Sequence, residues 1–170
     1  MTSELLDQAL VEEATKKSGL IWVRGPGSAA RALWHVWHEG AVCLVGDGPG
    51  EQPLPGLTDG GSAEVTVRSK DKGGRLVTFA ATVSELPSGS AEWEAAVAEL
   101  KGKRLNAPDG EAMTERWARE CRVLRLEPAG VSGPLPDGSL AEAPLPSPAT
   151  TRQPIPEGLP RLLFRKRRRR

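Results

Sequence analysis

SAEVTVRSKDKGGRLVTFAATVSEL, residues 62–86, contains two strand-like runs on either side of a short basic turn. Residues 63–68 and 75–86 alternate apolar with polar side chains, which is the pattern of a strand with one face in a core. The turn contains Gly73 and Gly74, and glycine adopts the positive φ values that tight hairpins require. The stretch therefore predicts a long β-hairpin.

The tip of this hairpin is strongly basic. Arg68, Lys70, Lys72 and Arg75 lie within eight residues of one another. Together with Ser69, the first two offer a guanidinium, a hydroxyl and an ammonium group, which are the donors that bind a phosphate monoester. An ordinary solvated turn carries such charges equally well. The segment is thus either a phosphate clamp or an exposed turn.

Length and composition restrict the class of protein. The 170 residues are 38% hydrophobic and 26% charged, as expected for one domain with a proper core. No run approaches the ~20 apolar residues of a membrane helix. The N-terminus carries Glu4, Asp7, Glu12 and Glu13 instead of the basic head and apolar middle of a signal peptide. We predict a cytoplasmic protein with no membrane span.

The chain has few groups for metal or thiol chemistry. Cys43 and Cys121 lie in separate apolar runs and form no Cys-x-x-Cys pair. Buried free thiols are the expected state. With only His35 and His38 to join them, a zinc site is poorly supplied, and we predict no metal. We read His35 as a partly buried sheet residue in preference to a catalytic base.

The remaining pattern completes the predicted architecture. Helices are expected at residues 3–17, 90–103 and 111–119, and further strands at 20–24, 31–38, 41–45 and 121–126. The first helix has an apolar stripe of Leu6, Ala9, Leu10 and Ala14, with Glu13 at the same spacing. Ser90 caps the second helix, and Pro128 ends the last strand. Residues 46–61 are rich in Gly and Pro, lack a nucleotide-binding motif, and are expected to form a connecting loop. Six strands in hairpin order with these helices predict an α+β domain built on a small antiparallel barrel.

The composition changes after residue 128. Residues 131–170 contain eight of the 15 prolines, and hold 8 Lys and Arg against 3 Asp and Glu; residues 1–130 hold 15 against 19. The chain finishes with Leu162-Leu163-Phe164 followed by the basic run of residues 165–170. We predict a domain over residues 1–128 and a largely disordered tail over 129–170. The tail could solubilise the chain, dock through its Leu-Leu-Phe, or bind nucleic acid or an anionic surface.

Two segments carry a family resemblance. RALWHVWHEGAVCLV, residues 31–45, resembles the second and third strands of the pyridoxamine 5′-phosphate oxidase-like split barrels, and residues 64–79 resemble their next hairpin. The likeness extends over about residues 5–127. It implies a six-stranded antiparallel split β-barrel with flanking helices. It also implies a homodimer that binds FMN, or a related deazaflavin, in a groove between subunits.

The same resemblance suggests site residues by position. Those expected to hold the flavin phosphate are Arg68, Ser69 and Lys70, and those expected along the ring system are Trp34, His35 and Val36. Arg104 and Asn106 are further candidates beyond the second helix. Glu64 departs from the family, which often has a basic residue at the head of this strand; a carboxylate there weakens phosphate binding unless it points away.

Three functions follow from these observations. The first is an FMN- or deazaflavin-dependent oxidoreductase acting on a small molecule, in which the cofactor performs the redox step and no dedicated acid or base is required. The second is a binding or structural protein that keeps the barrel without a cofactor. The third is a nucleic-acid-associated protein that acts through its basic tail.

Overall fold

The computed structural model describes residues 2–70 and 75–131. Within these ranges the chain forms three α-helices and seven β-strands, with a short 3₁₀ turn before the last helix. The helices are α1 (Thr2–Lys17), α2 (Ala91–Lys103) and α3 (Met113–Glu120). The strands are β1 (Leu20–Arg24), β2 (Arg31–Trp34), β3 (Val36–His38), β4 (Ala41–Gly46), β5 (Ser62–Arg68), β6 (Arg75–Glu85) and β7 (Arg122–Val131).

The strands form one antiparallel sheet that curls on itself. Their order is β2-β1-β5-β6-β7-β4-β3, so β2 and β3 are the two edges. These edge strands are consecutive in the chain and only His35 separates them. Since the two edges must meet at this residue, the sheet is a nearly closed barrel whose seam lies between β2 and β3. The predicted α+β antiparallel split barrel is confirmed.

The strand count differs from the prediction for a physical reason. Residues 31–38 were expected to form one strand, but β2 pairs with β1 and β3 pairs with β4. β1 and β4 are separated in the sheet by β5, β6 and β7, so no single partner strand accompanies residues 31–38. The hydrogen-bonding ladder therefore breaks at His35, while the alternation of side chains continues through it: Leu33 and Trp37 lie with the barrel interior, and Trp34 and Val36 with the outer layer.

Gln52 closes the seam. Its side-chain carbonyl accepts from the Trp34 N–H at 2.9 Å, and its amide donates to the Trp34 and Val45 carbonyls at 2.9 and 3.3 Å. Edge strands leave backbone groups without partners, and such groups are costly when buried. The Gln52 amide therefore takes the place of a neighbouring strand at this point.

Two hydrophobic clusters share the sheet between them. The first fills the barrel, and Leu54 and Leu57 from the 47–61 loop and Val11 from α1 complete it. The second lies between the outer face of the sheet and α2 and α3, around Trp93 and Trp117. The strands near the seam thus have one face in each cluster.

The orientation predicted for α1 is wrong in its first half. Leu6 is 66% exposed and Leu10 is 36% exposed, whereas Val11 and Thr15 are buried. Ala14, the last residue of the predicted stripe, does pack against the barrel core. The helix therefore packs on the barrel through the face that carries Val11, Ala14 and Thr15.

The hairpin and the caps follow local rules. β5 and β6 pair as predicted, from Ser62 opposite Thr82 to Arg68 opposite Arg75. The Ser90 hydroxyl accepts from the Trp93 N–H and caps α2, which confirms the predicted start of that helix.

The prediction that Pro128 ends the last strand is wrong, because β7 continues to Val131. Pro128 lies opposite Ala81 where the pairing with β6 shifts register, and a proline is tolerated at such an irregularity. The predicted tail of residues 129–170 falls, from residue 132 onward, outside the described residues. No helix in the described part of the chain is long and apolar enough to cross a membrane.

Candidate cofactor-binding site

The basic segment begins at the end of β5, and the alternation of side chains along this strand sets the direction of Arg68. In β5 the burial alternates, with Ala63, Val65 and Val67 in the barrel. Arg68 is therefore directed outward, and its guanidinium carbon lies 5.1 Å from the centre of the Trp22 ring, in cation–π geometry. Ser69 is half-buried and Lys70 is exposed.

Lys103 is the last residue of α2, the helix that packs on the outer face of the sheet, and its charge lies near this segment. Partial desolvation lowers the pKa of Lys103, and the nearby charge of Lys70 lowers it further. The fold therefore adds a further positive charge to the basic segment. The sequence analysis did not include Lys103, because 33 residues separate it from Lys70 and no local pattern connects them.

His35 lies on the same side of the barrel. Leu20 pairs with Trp34 and Trp22 pairs with Thr66, so the seam and the end of β5 flank the start of β1. The His35 side chain is fully buried, and its Nε2 donates to the Thr15 carbonyl at 3.0 Å. Burial lowers the pKa of His35 to about 4, and the charge of Lys103 contributes to this shift. The ring is therefore neutral near pH 7.

The two neighbours of His35 face the outer layer. Val36 is buried, and Trp34 is half-buried with its ring centre 6.5 Å from that of Trp117. Of the six residues suggested from sequence, Arg68, Ser69 and Lys70 are thus grouped at an accessible strand end. His35 lies buried near them, and Trp34 and Val36 pack beneath the helices. The ring contact suggested for these three stays a prediction.

Glu64 is directed to a different partner. Its carboxylate forms an ion pair with Arg24 at 2.9 Å. Four residues of strand separate Glu64 from Arg68, which is about 13 Å at the usual rise of a strand. The carboxylate is therefore remote from the basic segment, and the departure from the family pattern does not weaken that segment directly.

A second group of charges was missed by the sequence analysis. The Glu51 side chain has no exposed surface and accepts from Arg104 at 3.2 Å, Arg116 at 3.0 Å and the Trp117 indole at 3.0 Å. Asp109 binds Arg116 at 2.6 Å, which lowers the pKa of Asp109 and raises that of Arg116. This group, which we call the Glu51 cluster, fastens the 47–61 loop to the ends of α2 and α3.

The Glu51 cluster removes Arg104 from the candidate list. Its guanidinium also donates to the Gly50 carbonyl at 3.1 Å, so the loop holds it on two sides. Asn106 is exposed and adopts a positive φ of 55°. The only sequence signal for this cluster was the isolated Glu51-Gln52 pair within a loop of Gly and Pro, which by itself names no partner.

The two cysteines are free thiols that differ in burial. Cys43 is a fully buried free thiol, and burial raises its pKa to about 11. Cys121 is also a free thiol and is half-buried. Among residues 2–70 and 75–131, no three His, Cys, Asp or Glu side chains are grouped as a metal site.

Among known proteins, similarity to this chain was found only with solved structures. No protein-family model matches the chain, and no curated protein matches it. A conserved hypothetical protein from Mycobacterium tuberculosis aligns with a TM-score of 0.51 at 11% identity, over 72% of this chain and 81% of that one.

Two further solved structures have related folds. A proposed pyridoxamine 5′-phosphate oxidase from Corynebacterium glutamicum aligns with a TM-score of 0.43 at 12% identity, over 70% of this chain and 83% of that one. The FAD and heme binding protein from Mycobacterium smegmatis aligns with a TM-score of 0.46 at 17% identity, over 86% and 90%. The split-barrel fold that the family resemblance implies is confirmed by the strand order of the described residues. At these identities the likeness concerns the fold alone.

Proposed function

We propose that this chain binds a flavin-type cofactor and holds its phosphate with Arg68, Ser69, Lys70 and Lys103. The observation that carries the proposal is the grouping of Arg68, Ser69 and Lys70 at the outward-facing end of β5, with Arg68 stacked on Trp22. Lys103 adds a further positive charge to this group. An anion bound between these cations would remove their repulsion. The folded chain would therefore bind a phosphate more tightly than an isolated turn, which lacks Lys103. We call these four residues the phosphate cluster.

The donor set fits a phosphate monoester. Arg68 is oriented by Trp22 and presents a planar fork of N–H groups, while the two lysines add mobile point charges. Ser69 supplies a hydroxyl between them. The choice of a flavin over another phosphate-bearing ligand comes from the family resemblance of residues 31–45 and 64–79. FMN is the first candidate and a deazaflavin the second.

A bound flavin would supply the electron-accepting ring, and the chain would bind and orient it. Neutral His35 beneath the seam keeps a positive charge out of the barrel wall near the site. This arrangement suits an oxidoreductase acting on a small molecule. In a homodimer a second subunit would cover the other side of the ring, as the family resemblance implies.

One observation favours the cofactor-free alternative. Trp34, His35 and Val36 are packed among core side chains, with Trp34 against Trp117 and His35 against α1. A barrel that lost its cofactor could fill the ring site with its own side chains. A binding or structural barrel protein is therefore the second candidate.

Binding of flavin to the full-length chain distinguishes the two. We expect FMN or the deazaflavin to bind at micromolar concentration, measured by quenching of cofactor fluorescence and by the visible spectrum of the purified protein. Arg68→Ala combined with Lys70→Ala should weaken binding by roughly 10- to 100-fold, the range expected when charge-assisted hydrogen bonds are lost.

A matched pair on α2 tests the contribution of Lys103. Lys103→Ala should weaken binding several-fold, whereas Lys101→Ala, two residues earlier and within 3.4 Å of Glu111, should not. If neither cofactor binds, or binding is the same in all variants, the flavin proposal is wrong and the cofactor-free barrel is favoured. Light scattering of the same samples tests the homodimer.

A further inference from the structure

A cleft lies between the first half of α1 and the C-terminal end of β7. Its volume is about 330 Å³, within the range of sites that accept a small ligand or large side chains. The residues that line it are Glu4, Asp7, Gln8 and Val11 from α1, and Phe79, Pro128 and Gly130 from the sheet. It lies outside the phosphate cluster and shares no residue with it.

The two walls of the cleft differ in chemistry. The sheet wall is apolar, and the helix wall carries the carboxylates of Glu4 and Asp7. Further along α1, Glu12 and Glu13 form ion pairs with Lys16 and Lys17. Within the described residues, by contrast, no Lys or Arg lies within ion-pair distance of Glu4 or Asp7. The cleft therefore suits a segment that is apolar on one side and basic on the other.

The chain itself contains such a segment. Leu162-Leu163-Phe164 is followed directly by six basic residues, 165–170. β7 ends at Val131, next to Gly130 of the cleft wall. Thirty-three residues of sequence separate Val131 from Phe164. A chain of that length spans about 30 Å even as a random coil, so the cleft is within its reach. The effective concentration of a segment tethered in this way is on the order of millimolar, which makes even weak docking significant.

We propose that residues 162–170 dock into this cleft within the same molecule. The Leu-Leu-Phe side chains fill the cleft beside Pro128 and Gly130, and the arginines that follow neutralise Glu4 and Asp7. Docking holds the basic run against the barrel, where it is less available to anionic polymers or surfaces. Salt weakens the charged part of the contact and releases the segment.

Limited trypsin digestion of the full-length chain tests the docking. Docked residues 162–164 protect the bond after Arg161, while the bond after Arg152 serves as an internal reference, and mass spectrometry gives both cleavage rates. We expect Glu4→Gln with Asp7→Asn to speed cleavage after Arg161 by roughly three- to tenfold relative to Arg152, as loss of two partly exposed ion pairs would. The matched control, Glu94→Gln with Glu99→Gln on α2, should leave the ratio unchanged.

A second measurement locates the contact. Replacing Leu162, Leu163 and Phe164 by Ser should shift the backbone NMR signals of Asp7, Val11 and Gly130 and leave those of α2 in place. Equal cleavage ratios in wild type and the Glu4→Gln/Asp7→Asn variant, or unmoved cleft signals, would overturn the proposal. Protection that rises with protein concentration would also overturn it, because a second copy would then be the occupant.

Discussion

Lys103 and Arg104 are adjacent in the chain but belong to two differently built groups of charge. Arg104 joins the Glu51 cluster, where a carboxylate with no exposed surface faces two guanidinium groups and an indole N–H. Lys103 joins the phosphate cluster, where the charge acting on it is that of another cation, Lys70. A basic residue whose nearest charge is a buried carboxylate is part of the structure. One that faces a second cation near the surface is available to an anion from outside.

Neutralising Glu51 should have the largest effect on stability. In Glu51→Gln the partly buried Arg104 guanidinium loses its carboxylate, whereas Arg116 keeps Asp109. Breaking a buried pair in this way costs about 3–5 kcal/mol of unfolding free energy, or roughly 10–20 °C in Tm for a domain of this size. Thermal unfolding followed by circular dichroism measures it.

The control for Glu51 is an exposed acid. Glu111 is 98% exposed on its side chain and lies 3.4 Å from Lys101. Glu111→Gln should change the unfolding free energy by less than about 0.5 kcal/mol. If the two substitutions have equal effects, the Glu51 cluster is not a structural anchor and the contrast with the phosphate cluster fails.

The pH dependence of stability should report on His35 beside the phosphate cluster. The folded chain keeps His35 neutral down to about pH 4, whereas the unfolded chain protonates it below its ordinary pKa of 6.5. Stability is therefore lost as the pH falls from 6.5 to 4, by about 3 kcal/mol, with no further loss from this group below pH 4. Urea unfolding at several pH values gives the unfolding free energy of wild type and of His35→Gln. The difference between the two pH profiles is the contribution of His35, because the carboxylates titrate in both proteins.

Lys103 should influence that titration. The charge of Lys103 helps to lower the pKa of His35. The Lys103→Ala substitution should therefore raise the pKa of His35, and Lys101→Ala should leave it unchanged. NMR of the imidazole signals measures both. A His35 pKa near 6.5 in wild type would contradict the buried environment described for this residue.

Alanine substitutions of the adjacent residues Lys103 and Arg104 compare the two clusters most directly. Their expected effects on the unfolding free energy are smaller than that of Glu51→Gln. Arg104→Ala removes charged hydrogen bonds to Glu51 and should cost about 1.5–3 kcal/mol of unfolding free energy. Lys103→Ala should change it by no more than about 0.5 kcal/mol, because it removes a surface cation that faces Lys70. Equal destabilisation by both would mean that Lys103 also has a structural partner.

Sequence reasoning succeeded where the signal is local. The 62–86 hairpin and the Ser90 cap both follow from alternation and capping chemistry within a few residues. The assignment of Arg68, Ser69 and Lys70 to a phosphate site stays a prediction. It failed at the burial face of α1 and at Pro128. In both cases contacts with a distant strand decide the outcome, through Val11 for the helix and through the shifted register with β6 for Pro128.

The parts of the site that were missed depend on long-range contacts. Glu51 meets Arg104 and Arg116 across 53 and 65 residues of chain, and Gln52 meets Trp34 across 18. A loop rich in Gly and Pro gives no periodic signal that could select these partners. The break of the predicted strand at His35 likewise required knowing that β2 and β3 lie at opposite edges of one sheet.

The sequence by itself determined the strand pattern, the helix starts and the presence of a basic segment after β5, because each rests on the preferences of neighbouring residues. The tertiary structure alone decided which charges meet which. Coulomb interactions act through space and depend on burial, so adjacent residues such as Lys103 and Arg104 can face a cation and a carboxylate respectively. Only the closed barrel, with its loop and helices in place, brings Arg104 to Glu51 and places Lys103 near the charge of Lys70.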